Sequence, residues 1–185
     1  MKYLILLIPL FLIGCFSNAP QLTDQGWQQY ESGDLSSALS SFNNAASGDP
    51  FYADAFNGLG WCYLGMNQLS NARDNFGQCL SLTDTIADSY AGLAIVLPDL
   101  ADDVAAVDNA DSLIGMSPSY VFSHKTSITI AQVRLAKARA CCNLGRFSDA
   151  LAEIQYFDLS FTADPGTSEG QRAILEKLEE LLSQH

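Results

Sequence analysis

Gly26 and Ala38, Gly60 and Ala72, Ala94 and Ala106, and Ala138 and Ala150 are four pairs of small residues, each pair twelve residues apart. Successive pairs step along the chain by 34, 34 and 44 residues. Four places beyond each second member stands Phe42, Phe76, Ala110 or Ile154, bulky in all copies but the third. A period of 34 is that of a helix–turn–helix unit. Two antiparallel helices approach closely only where the facing side chains are small, so each pair marks a contact inside one hairpin. The expected fold is therefore all-α, a right-handed α-solenoid of about four helix hairpins.

Local signals keep the same register. Gly33, Asn67 and Gly145 occupy equivalent places after the first helix of their hairpins. Gly and Asn tolerate the left-handed backbone that ends a helix. Three residues further on, Ser36, Ser70 and Ser148 are placed to cap the second helix, a contribution of about 1 kcal/mol each. Pro50 and Pro118 close the first and third copies, because proline cannot continue a helix.

The third copy replaces the Gly-type turn with Leu97-Pro98-Asp99, so its first helix should end early, with Asp102 or Asp103 capping the next. The fourth copy arrives ten residues late. Its extra residues lie around Ser119 to Ser127 and form either a longer loop or an extended first helix capped by Thr126 or Ser127. A final helix is predicted from Ser168, with Gln171 as its capping-box partner. Ile174, Leu175, Leu178, Leu181 and Leu182 form one apolar stripe along it, as expected of a solenoid's terminal cap.

Leu59, Gly60, Tyr63, Ala72 and Phe76, with Gly26, Ala38, Phe42 and Pro50 one period earlier, resemble the tetratricopeptide repeat family over roughly Thr23 to Asp158. The resemblance implies a concave wall built mainly from the first helix of each hairpin, on which members hold partner segments. The residues it places there are Trp27, Tyr30, Glu31, Asp54, Asn57, Trp61, Asp88 and Ile95, with Arg139 in the last copy. Trp27 and Trp61 are the only tryptophans and occupy equivalent positions. They either face the groove, where an aromatic with a polar handle suits protein binding, or pack as core. Some members clamp a C-terminal carboxylate with Lys and Asn on this wall. Here the matching places hold Thr23, Trp27, Glu31, Asn57, Trp61 and Gly65, which do not support such a clamp.

The amino terminus carries a separate signal. Lys2 precedes an apolar run from Tyr3 to Ile13, and Leu12-Ile13-Gly14-Cys15 closes it. The run is shorter than the roughly 20 residues a spanning helix needs and fits a secretory leader. Leu12-Ile13-Gly14-Cys15 resembles the lipobox of bacterial lipoproteins, which implies cleavage after residue 14 and acylation of Cys15, palmitate included. The alternative is an ordinary cleaved leader with a chance cysteine. Phe16 and Ser17, with no Asp after Cys15, resemble the pattern sorted to the outer membrane, facing the periplasm. The organisation read from the sequence is a leader at 1–14, a lipidated tether at 15–22, repeats at 23–52, 53–86, 87–119 and 120–165, and a capping helix at 166–185.

Net charge is −12, and its distribution is uneven. From Phe16 to Tyr120 one basic residue, Arg73, faces thirteen acids, whereas Val121 onward holds seven basic residues and eight acids. The acidic first half argues against nucleic acid and permits a cationic partner. Cys62, Cys79, Cys141 and Cys142 have no C-x-x-C spacing, and only His124 and His185 could join them, so neither a zinc site nor disulfides are expected. Asp99, Asp102, Asp103, Asp108 and Asp111 lack the glycine and closing Glu of a calcium loop. No catalytic motif or cofactor loop is present. The expectation is a non-enzymatic scaffold for envelope proteins or peptides, working through the groove. The alternative is a structural or oligomerising subunit that uses its last helix, with a ligand-binding accessory lipoprotein as a third option.

Overall fold

The computed structural model describes residues 18–184, so the leader and Cys15 lie outside the described residues. Nine α-helices occur among them: α1 (Ala19–Glu31), α2 (Leu35–Gly48), α3 (Ala53–Gly65), α4 (Leu69–Leu82), α5 (Ala87–Val96), α6 (Asp103–Met116), α7 (Ile130–Asn143), α8 (Phe147–Gln155) and α9 (Ser168–Gln184). Four hairpins, α1/α2 to α7/α8, stack in chain order, and α9 closes the stack against α7 and α8. The first helices α1, α3, α5 and α7 neighbour one another in turn and form one wall. None of the helices described is long and apolar enough to cross a membrane.

All six alanines of the repeat contacts, from Ala38 to Ala150, are fully buried. The glycines do more than let helices approach. A β-carbon on either Gly26 or Gly58 would run into the ring of Phe42, and one on Gly60 or Gly92 into the ring of Phe76. Phe42 and Phe76 thus each sit in a slot cut from two successive first helices, one in its own hairpin and one in the next. Gly58 and Gly92 are themselves 34 residues apart. Where the ring shrinks to Ala110, Ala94 and Ala136 stand at the corresponding places, so the slot narrows with its filler.

Helix ends follow the backbone more than the serines. Gly33 (φ 85°), Asn67 (φ 57°) and Gly145 (φ 71°) take the left-handed conformation expected of them. Only one residue separates each from the next helix, so the capping position falls on Asp34, Gln68 and Arg146. Asp34 accepts from Ser37 N, while Ser36, Ser70 and Ser148 lie inside the first turn and do not cap. Pro98 ends α5 through a 3₁₀ turn, Leu97–Leu100, and Asp102 caps α6 by accepting from Ala105 N. Thr129, not Thr126 or Ser127, caps α7, in a capping box with Gln132. Before α9 it is Thr167 whose hydroxyl accepts from Gly170 N, and Gln171 donates to the Pro165 carbonyl. At the other end α1 begins at Ala19, ahead of residue 23.

The last hairpin is tied by charge. Glu153 is buried and accepts from Arg134 Nη1 and Lys137 Nζ, both at 2.6 Å, and Lys137 also reaches Asp111 at 2.6 Å. Arg134 lies over the Tyr156 ring, 4.4 Å from its centroid. This cluster joins α6, α7 and α8 where the slot-filling side chains are smallest.

Candidate functional site

The ten extra residues of the fourth copy form a loop, and its path decides what the groove is. Between α6 and α7, residues 117–129 turn back and lie across the wall of first helices. Val121 pairs with Thr129 in an antiparallel bridge, Ile130 N donates to the Tyr120 carbonyl at 2.8 Å, and Phe122 N donates to the Ile128 carbonyl at 2.9 Å. A narrow hairpin results. Along its first arm Tyr120 and Phe122 are buried and His124 is partly covered, whereas Val121, Ser123 and Lys125 are exposed. That alternation is the period of an extended strand, with every second side chain facing the wall.

Phe122 is the centre of the contact and is 0% exposed. Its ring stacks on Trp61, with centroids 4.1 Å apart and planes 19° from parallel, and meets Trp27 and Tyr30 edge-on at 6.0 Å each. The imidazole of His124 lies flat on the Trp27 indole, centroids 3.9 Å apart and planes 2° from parallel, and its Nδ1 is 2.7 Å from Glu31 Oε1. Tyr120 donates its hydroxyl to Asp88 Oδ1 at 2.7 Å. One face of this short segment therefore engages α1, α3 and α5 together.

The wall is braced from within. Trp27 Nε1 donates to Asp54 Oδ2 at 3.0 Å, Asn57 Nδ2 donates to Asp54 Oδ1 at 3.0 Å, and Ser89 Oγ donates to Asn57 Oδ1 at 3.1 Å. This relay of side chains runs across α1, α3 and α5 and fixes the indole of Trp27 against the acid. Burial pushes the Asp88 carboxyl above its usual range, while the Tyr120 hydrogen bond pulls the other way. The Tyr30 and Tyr120 phenols are raised, in both cases chiefly by burial. Trp61 Nε1 is buried without an acceptor.

The structure thus brings together seven of the eight residues expected on the wall. Trp27, Tyr30, Glu31, Trp61 and Asp88 touch the hairpin directly, and Asp54 and Asn57 form the relay beneath. The two tryptophans are 5% and 0% exposed, packed on one side against the core rings of Phe42 and Phe76 and on the other against the chain's own hairpin. Ile95 is outside these aromatic and polar contacts and lies beside the hairpin's second arm at Ile128. It borders an open cavity of about 350 Å³ with Leu64, Ile128, Leu135, Ala136 and Leu182, and the Asp99–Arg139 ion pair is part of the lining. Phe122, His124 and Tyr120 were not expected at the site. Their every-other-residue alternation was the available signal.

Other candidates have plain roles. Cys62, Cys79, Cys141 and Cys142 are free and buried. Ile174, Leu178 and Leu181 of α9 are spent on the last hairpin, leaving Leu175 and Leu182 partly exposed. No group of three or more metal-ligating side chains stands together among the described residues.

Fold and groove define a solenoid of the tetratricopeptide type that carries a segment of its own chain on its inner wall. Among solved structures the chain is similar to YrrB, described as a TPR protein with an unusual peptide-binding site, at 18% identity and a TM-score of 0.69 over 91% of this chain and 89% of that one. It is also similar to MamA, at 18% identity and a TM-score of 0.62 over 91% and 82%. A third is pilF of Pseudomonas aeruginosa, at 20% identity and a TM-score of 0.65 over 86% and 67%. No protein-family model and no curated protein sequence matches the chain.

Proposed function

We propose that this chain is a lipid-anchored scaffold of the bacterial envelope that captures an extended segment of a partner protein on its concave wall. The observation that carries the reading is the hairpin itself. A wall of aromatic and acidic side chains already holds an extended segment through alternate residues, one aromatic and one basic. Main-chain extension with alternate side chains in pockets is a general mode of peptide recognition. The YrrB description, a peptide-binding site on a similar fold, supports the same use. The motif at Cys15 supports attachment, since two or three acyl chains anchor a protein stably. The reading needs no catalysis and no cofactor. Ile174, Leu178 and Leu181, most of the apolar face of α9, are buried against the last hairpin, which favours the groove over the last helix as the working surface.

The test is site-specific cross-linking in cells. A photo-reactive residue replaces Ile95 or Glu31 in the groove, or Ser40 or Asp74 on exposed surface of the second helices α2 and α4. The expected result is a defined protein adduct from the groove positions and none from the others. Adducts from α2 and α4 alone would overturn the reading.

A further inference from the structure

We infer that the hairpin at residues 117–129 is a built-in placeholder for the partner, and that it states the partner's chemistry: an extended segment in which two aromatics and a cation alternate with outward-facing residues. The inference rests on the groove reading above and adds which ligand fits and what it must displace.

Three subsites are readable from the occupant. Asp88 accepts a phenol hydroxyl from Tyr120, Trp61 and Trp27 enclose the Phe122 ring, and Glu31 with the face of Trp27 takes the imidazole of His124. The spacing is two residues between subsites, which only an extended chain supplies. The charge follows the same logic. The wall belongs to the half of the chain with one basic residue and thirteen acids, and the hairpin brings the next two basic-type side chains, His124 and Lys125.

The occupant is also an incomplete ligand. It leaves the wall open beside its tip. At its tip, His124 and Lys125 line a cavity of about 300 Å³ with Tyr30 and Glu31. Apart from α7, which follows it directly, the hairpin is held to the wall by side chains rather than by backbone ladders. A segment so joined can leave without unzipping the solenoid. Closure then weakens partner binding by the fraction of molecules that are open.

The test uses the full-length chain in detergent and a fluorescein-labelled peptide copying residues 119–127, Ser-Tyr-Val-Phe-Ser-His-Lys-Thr-Ser. Anisotropy is measured with the wild type and with Phe122→Ala/His124→Ala, designed to release the hairpin by removing two of its three wall contacts while every wall residue is kept. The released chain should bind at least tenfold more tightly than wild type. Exchanging the peptide's Phe for Ala should abolish that binding, and adding Glu31→Ala to the released chain should weaken it severalfold. Equal binding of the original and the Phe-to-Ala peptide overturns the proposal, as does no binding to a released chain of undiminished helical signal. If the released chain does not fold, Phe122→Leu/His124→Gln takes its place. Failure of both to fold makes the hairpin part of the core and also overturns it. Cross-links from Ile95 or Glu31 alongside a negative peptide result would remove the placeholder and leave partner capture standing.

Discussion

The ring of Phe122 lies on the indole of Trp61 at a centroid distance of 4.1 Å, although 61 residues separate them in the chain. Burying a phenylalanine is worth about 1.5–3 kcal/mol and each favourable aromatic pair about 0.5–1.5 kcal/mol more. That is enough to keep the hairpin seated most of the time. It is little beside the helix packing that holds the solenoid.

The slots around Phe42 and Phe76 predict opposite outcomes for one kind of substitution. Gly58→Ala or Gly92→Ala pushes a methyl into a fully buried ring and should cost about 1–3 kcal/mol by overpacking. Gly77→Ala and Gly115→Ala, in exposed stretches of α4 and α6 with no neighbour to meet the added methyl, should stabilise by about 0.5–1 kcal/mol. Urea unfolding of the four variants checks this. Equal effects on both pairs would remove the slots from the account.

Glu153→Ala should be among the most disruptive single changes away from the slots. It strands Arg134 and Lys137 beside a buried position, and breaking a buried pair by removing one partner costs about 3–5 kcal/mol. Lys137 retains Asp111, which places the expected loss at the lower end. Glu153→Gln, which keeps a hydrogen-bond acceptor, should lose less. Thermal unfolding followed by circular dichroism distinguishes them.

Stability should fall in alkali. Burial raises the Cys62 thiol to about 12 and those of Cys79 and Cys142 to about 11, and it raises Cys141, Tyr30 and Tyr120 as well. These groups stay protonated in the folded chain while the unfolded chain releases protons. The unfolded state therefore binds fewer protons, and stability drops as pH rises. The window opens near pH 9, the ordinary thiol value, and runs to about pH 11–12, with up to roughly 1.4 kcal/mol per pH unit from each group. Below pH 8 the four thiols should have no effect and should resist thiol reagents. Cys62→Ala should flatten the alkaline slope. A stability unchanged between pH 8 and 10.5 would contradict the burial of these side chains.

The anchor makes its own prediction. Cys15→Ala should move the protein from the membrane to the soluble fraction and abolish incorporation of a labelled fatty acid. Labelling that persists in the variant would discard the proposed anchor.

Much of the fold was legible because a repeat states itself several times. Small residues twelve apart, left-handed stops at Gly33, Asn67 and Gly145, and the bulky residue at Phe42 and Phe76 all keep one register. The serines at 36, 70 and 148 misled because the stop residue sets where the helix resumes, and only Asp34 or its equivalents stand at that point. Gly58 and Gly92 keep the same period, but only the packing shows that they complete the slots. The wall residues were legible through the repeat as well. What covers them was not. The excess length showed where an insertion lies, but contacts such as His124 with Trp27 join positions 97 residues apart, and no local pattern encodes them. The sequence left this insertion as either a longer loop or an extended first helix, and the alternation of Tyr120, Phe122 and His124 takes its meaning only from the wall they meet.

The chain's only two tryptophans both touch the hairpin, Trp27 through His124 and Trp61 through Phe122, while their other sides pack on Phe42 and Phe76, so a change confined to the hairpin changes how far quencher reaches them. The most direct measurement is acrylamide quenching of the wild type against Phe122→Ala/His124→Ala, with helical circular dichroism recorded on the same samples. A covered groove on an independent solenoid predicts low quenching in the wild type and a severalfold rise in the variant at unchanged helical signal. Unchanged quenching, or a rise that comes only with loss of helix, would contradict it.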